Sequence, residues 1–138
     1  MIDTTDTTIT IARFVAAWSQ VEYIWGETDC MMFGIALHDE RFNTTKAESI
    51  YRKYNDKFSA IRFYKNFVKL ESWLMNNSYK KLTAKKPKLK DGDILVKNHP
   101  ILDQAFLYFN ESVYTMDEER GLIRIQTSLI EFDSVWRR

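Results

Sequence analysis

Cys30 is the only cysteine of the chain, and His38 and His99 are its only histidines. A thiolate attacks carbonyl carbon, and an imidazole beside it takes and returns the proton. Asp29 precedes Cys30, and the apolar stretch CMMFGIALH follows it. Asp is a good N-cap, so Cys30 would stand in the first turn of a helix, where free N–H groups and the helix dipole favour an anion. Three readings are open for Cys30: a nucleophile, a small buried hydrophobe, or the remnant of a nucleophile. One cysteine allows neither an internal disulfide nor a cysteine-rich zinc site, and two histidines give no histidine-rich metal site. No metal and no cofactor are expected. His38 would lie roughly 12 Å along the helix from Cys30 at 1.5 Å rise per residue. It reads as a surface or helix-end histidine, which suits that end of the dipole.

The elements that must position these groups fall into two kinds. ITIARFVAAWSQVEYIW places Ile11, Phe14, Val15, Trp18 and Val21 near one face at helical spacing, and Gly26 ends that helix or its exit turn. The cysteine helix reads as a buried central helix, with a strand left open as the alternative by periodicity alone. TTKAESIYRKY predicts a helix from a Thr44 or Thr45 cap through Tyr54. SAIRFYKNFVKLESWLMNN predicts one or two more, capped by Ser59. Phe63, Phe67 and Trp73 sit at core spacing within them. KKLTAKKPKLKDGD is a charged connector holding Pro87 and an Asp-Gly turn. After it, DILVK, QAFLYF, SVYTM and LIRIQT are rich in β-branched and aromatic residues, and FNES and DEERG fit hairpin turns. The expected architecture is one α+β domain over 1–138: helices over about 9–80, a connector over about 80–91, and a small antiparallel sheet over about 92–136. Trp136 would anchor the C-terminus against that sheet.

Composition removes several function classes. The 138 residues suit one domain with a core, and 45% hydrophobic content excludes a disordered segment. Twenty basic and 19 acidic side chains leave a formal charge of +1, so no overall pull draws the chain to nucleic acid. The connector is basic, but Asp91 and Asp93 interrupt it and no aromatics interleave, so it reads as a solvated loop. MIDTTDTTIT has neither the basic start nor the apolar stretch of a signal peptide, and no apolar run is long enough for a transmembrane segment. Synthesis in the cytoplasm is expected.

YIWGETDC resembles the signature of NlpC-type, papain-like cysteine peptidases of the cell wall, in which Tyr-Val-Trp-Gly-Gly leads to Asp-Cys-Ser-Gly. Tyr23, Trp25 and Gly26 match the first part, and Asp29 and Cys30 the second. DGDIL resembles the family's Gly-Asp-Leu at the first strand of its sheet, through Gly92 and Asp93. The likeness runs from the first helix to the C-terminus. It is closer to a compact variant encoded in tailed-phage tail modules, with Trp-Gly-x-x-Asp-Cys, a Tyr-Arg element, Gly-Asp and a terminal Ala-Trp-Arg. YRKY at 51–54 and VWRR at the end are similar to the last elements, and the short spacing between Gly26 and Asp29 points the same way.

The resemblance implies a helix-borne cysteine, a histidine opening a His-Val-Gly-Ile-Tyr strand, and a third polar group on the next strand. Aligning Tyr108 with the family tyrosine and Asn110 with a following glycine puts Gln104 at the histidine, and Met116 twelve residues on at the third group. Gln moves no proton near neutral pH and Met has no acid–base chemistry. Met31 and Met32 replace the family's Ser-Gly, which implies tighter packing around the cysteine helix. A second register takes His99 as the base and Glu111 as its orienter, at the expense of Pro100 in the strand start and Asp103 in place of the tyrosine. Tyr23, with Asp29, resembles the family's oxyanion neighbourhood; otherwise it is an aromatic wedge, and Trp25 is structural.

The resemblance therefore implies a structural protein of a phage tail tip or hub, or of tail assembly, with a degenerate site. Its partners would be other tail proteins and its location the virion. An active endopeptidase cleaving peptidoglycan during infection, using Cys30 with His99, is the alternative. A peptide-binding module of the cytoplasm is the third.

Overall fold

The computed structural model describes residues 4–67 and 69–138, with side-chain surroundings from residue 7 onward. Four helices come first: α1 (Thr4–Trp18), α2 (Cys30–Phe42), α3 (Lys57–Lys65) and α4 (Leu70–Asn76). Six strands follow: β1 (Lys80–Lys81), β2 (Ile94–Lys97), β3 (Gln104–Phe109), β4 (Ser112–Asp117), β5 (Gly121–Gln126) and β6 (Ser134–Arg137). They form one antiparallel sheet in the order β1-β6-β2-β3-β4-β5. The helices pack on this sheet, so the chain is α+β as expected.

Alternation along the strands builds two layers. Ala105 and Leu107 of β3, Ile94 and Val96 of β2, and Met116 of β4 face the helices. Leu95, Phe106, Val113 and Val135 face the other way, under Leu82 and Leu89 of the connector and Ile130 and Phe132. That cover explains why β2 reads as an unbroken apolar run rather than an alternating one. Gly34 lets α2 approach the sheet, since a Cβ there would stand 3.4 Å from Ala105 Cβ. Phe14 and Trp18 of α1 pack on Phe33 of α2, with ring centroids 5.3 and 5.5 Å away. Asn110 and Glu111, at φ +50° and +64°, form the two-residue turn that the β3–β4 hairpin needs.

Five local expectations are corrected. The first helix ends at Trp18, where Ser19 Oγ donates to the Ala16 carbonyl, and Val21 lies beyond it in solvent. Residues 44–54 hold one 3-10 turn, Ala47–Ser49, and open turns instead of a helix. There Asp39 accepts the Lys46 and Ala47 N–H groups at 2.8 Å and the Thr44 hydroxyl, drawing this segment onto the end of α2. The α3 cap is Asp56; Ser59 is the reciprocal member of its capping box. Lys80 and Lys81 belong to the sheet, as a short charged edge strand beside β6. His38 is buried, at 1% exposure, with Nδ1 2.9 Å from the Tyr79 hydroxyl. Trp136 lies within β6 and is buried in the core.

Candidate functional site

Asp29 caps α2 and does more than cap. Its Oδ1 accepts the Met32 N–H at 2.9 Å, and its Oδ2 accepts the Gly26 N–H at 2.8 Å and the Tyr54 hydroxyl at 2.6 Å. Because Tyr54 donates to Asp29, Tyr64, 2.8 Å away, must donate to Tyr54. Burial raises the Asp29 carboxyl above its ordinary value, against the pull of these donors. Gly26 sits at φ +86°, where a Cβ would stand 2.0 Å from the Tyr54 carbonyl oxygen, and its own carbonyl accepts the Arg52 N–H at 2.9 Å. Trp-Gly, Asp-Cys and the Tyr-Arg element are thus one joint. Tyr54 and Tyr64 are site residues without an assigned role in the sequence reading; YRKY marked the first as a motif only.

Cys30 occupies the first turn of α2 and is 8% exposed. Its hydrogen-bond partner is Tyr23, whose hydroxyl lies 3.9 Å from Sγ. Burial, and next the negative charge of Asp29, push the thiol up to about 12, which overrides the help of the helix N-terminus. Burial, followed by Cys30 and Asp29, raises the Tyr23 phenol as well. Near neutral pH this is a protonated thiol beside a protonated phenol. Trp25 Nε1 donates to Glu118 at 3.3 Å and its ring meets Tyr23 edge-on, tying this corner to the β4–β5 turn. Met31 and Met32 are both buried.

The remaining residues are dispersed. Gln104 opens β3 opposite Lys97, and alternation puts it with Phe106 and Tyr108, on the layer away from α2. Met116 lies in the helix-facing core at 1% exposure. His99 is exposed; its Nδ1 accepts the Ile101 N–H at 3.1 Å and its backbone N–H donates to Asp103 at 3.2 Å. Glu111 is in the turn at the far end of β3, and six strand residues at about 3.3 Å each keep it roughly 20 Å from His99. The structure does not bring that pair together. Among the described residues, no imidazole is hydrogen-bonded to Sγ.

Gly92 and Asp93 form a second joint. Arg137 places Nε and Nη2 on the two Asp93 oxygens, each at 2.7 Å, and Nη2 also reaches the Lys88 carbonyl at 2.9 Å. Arg41 Nη1 donates to the Gly92 carbonyl at 3.1 Å, and a Cβ on Gly92 would meet that guanidinium at 2.6 Å. Arg138 lies over the Phe42 ring at 4.0 Å. The Gly-Asp and Trp-Arg motifs are therefore two sides of one contact.

A groove of about 890 Å³ lies elsewhere, lined by Met31 next to Cys30, by residues at the end of α3 and the start of α4, and by the 98–103 loop with His99. Among the described residues, no three His, Cys, Asp or Glu are placed to hold a metal ion. No helix there is long and apolar enough to cross a membrane. The chain belongs to the family described as a domain of unknown function, DUF6950, whose model matches residues 4–138. No curated protein matches it.

Proposed function

We propose that this DUF6950 chain is a structural component of a bacteriophage tail, at the tip or hub or in its assembly, built on an NlpC-like, papain-like domain whose cysteine no longer cuts. The observation that carries the loss of hydrolysis is the state of Cys30. The thiol keeps the helix N-terminus that such a nucleophile uses, but its partner is a phenol held protonated by burial. A phenol in that state takes no proton from the thiol and gives none to a leaving amine. The assignment to a tail rests on the motif order Trp25-Gly26, Asp29-Cys30, Tyr51-Arg52, Gly92-Asp93 and Trp136-Arg137. Two joints, each linking segments distant in sequence, give those motifs a structural reason to persist without catalysis. Such a domain offers docking surfaces that do not depend on a working nucleophile.

Alkylation of Cys30 by iodoacetamide across pH, in the folded chain and in His99→Ala, tests the inactive site. The expected result is slow alkylation at pH 7 that rises only in alkali and is indifferent to His99. Fast alkylation below pH 7 that collapses in His99→Ala would instead establish a thiolate–imidazole pair. It would favour the peptidase reading, for which the shared groove of His99 and Met31, the neighbour of Cys30, is the supporting observation. Peptide mass spectrometry of purified tailed particles from a host encoding the chain tests the location. Its absence from both particles and tail-assembly intermediates would sink the tail assignment.

A further inference from the structure

The two edges of the sheet are finished differently. The β1 edge is two residues long and carries Lys80 and Lys81, which blunts it against a further strand. The β5 edge runs for six residues, Gly121–Gln126, with neither Pro nor Lys. Among the described residues, its backbone hydrogen bonds go to β4 alone. Alternate residues of β5 therefore point N–H and C=O groups outward, open to another extended strand. Ile123, at its middle, is half-buried and belongs to neither apolar layer.

The two ends of β5 differ in charge. Glu22, Glu118 and Glu119, all exposed, line a hollow with Gly121 at its start. Arg120, the cation of that hollow, is paired with Asp117 at 3.2 Å. Further along, Arg124 is exposed on the helix-facing side, the side of Leu122. Its Nε donates to Ser112 Oγ at 2.9 Å, and none of the ion pairs among the described residues involves it. An antiparallel strand of the same sequence brings the negative start of each β5 to the positive end of the other. A twofold axis normal to the sheet keeps both sets of helices on one side, so residues opposite each other must share a face. Two such registers pair most of the strand. With Arg124 on the axis, the two guanidinium groups oppose each other. With Ile123 on the axis, Arg124 of each copy stands opposite Leu122 of the other, one residue from Gly121 and its carboxylates. The formal charge of +1 adds little repulsion between copies.

We propose that the β5 edge is a twofold dimer interface, in which β5 of a second copy adds antiparallel about Ile123 and each Arg124 meets Glu22 and Glu119 of the other copy. The inference stands apart from the tail reading and from the reactivity of Cys30.

Sedimentation equilibrium of the full chain tests it. A dimer with a Kd of about 1–100 μM is expected, weakening with added salt. Arg124→Glu should weaken it roughly tenfold or more, and adding Glu22→Arg and Glu119→Arg to that variant should restore it. Cys30 is buried, so Ile123→Cys supplies one accessible thiol. On the axis, that thiol should cross-link to its own copy under mild oxidation. Ile125→Cys should not, because its two copies stand roughly 13 Å apart along the strands. The cross-links keep the test decisive if the charge variants fail to fold. A chain that stays monomeric to about 1 mM, a dimer indifferent to Arg124→Glu, or equal cross-linking of the two cysteine variants would overturn the proposal.

Discussion

Replacing Asp93 by Asn keeps the shape of a buried side chain and removes its charge. In the native fold Asp93 receives both arms of the Arg137 fork at 2.7 Å and the Lys90 N–H at 2.8 Å. Asn offers one acceptor oxygen and turns an NH2 donor toward guanidinium donors, so one arm of the fork loses its acceptor. Hydrogen bonds to charged groups contribute about 1.5–3 kcal/mol each. Arg137 is one-third exposed, so water recovers part of its loss. We expect Asp93→Asn to cost about 2–3 kcal/mol, a fall of roughly 6–10 °C in Tm for a chain of this size. Arg137→Lys, which trades the fork for a point charge, should cost about 1–2 kcal/mol. Because the two residues touch, the double variant should be less destabilised than the sum, by about 1–2 kcal/mol. Urea unfolding at pH 7 measures all three. If Asp93→Asn costs under about 0.5 kcal/mol, or the two changes add, the Gly-Asp and Trp-Arg motifs are not one joint, and the structural explanation for their presence fails.

Three further outcomes follow from other sites. Burial, then the Arg138 charge, lowers His38 from 6.5 to about 4. The unfolded chain therefore takes up this proton first: stability is full above about pH 6.5 and falls toward pH 4, by up to about 3 kcal/mol. Urea unfolding at pH 7, 5.5 and 4.5 should show a steeper acid loss for the native chain than for His38→Gln, and equal slopes would refute the assignment. Gly26→Ala should cost about 3 kcal/mol or more, because φ is +86° and its Cβ would lie 2.0 Å from the Tyr54 oxygen. Gly34→Ala, with its Cβ 3.4 Å from Ala105 Cβ, should shift stability by under about 1 kcal/mol, and thermal melts that rank the two the other way would contradict the packing described.

What the sequence determined by itself was local. Asp29 before an apolar run marked the start of the cysteine helix, and the helix begins at Cys30. QAFLYF marked β3 to the residue, and SVYTM and LIRIQT fall in β4 and β5 to within one. These features rest on caps and alternation, which act over a few residues. The tertiary structure decided what depends on partners far along the chain. TTKAESIYRKY has a helical pattern, yet Asp39 takes its amides and the Gly26 backbone meets its tail, so it folds as turns. His38 stands near a helix end, yet Tyr79, 41 residues on, closes over it. The peptidase resemblance aligns Gln104 with a catalytic histidine, yet strand alternation turns it to the layer away from Cys30. The order of the motifs was legible in one dimension. That they meet in two joints, leaving the thiol to a tyrosine, follows from which surfaces the packed helices bring against the sheet.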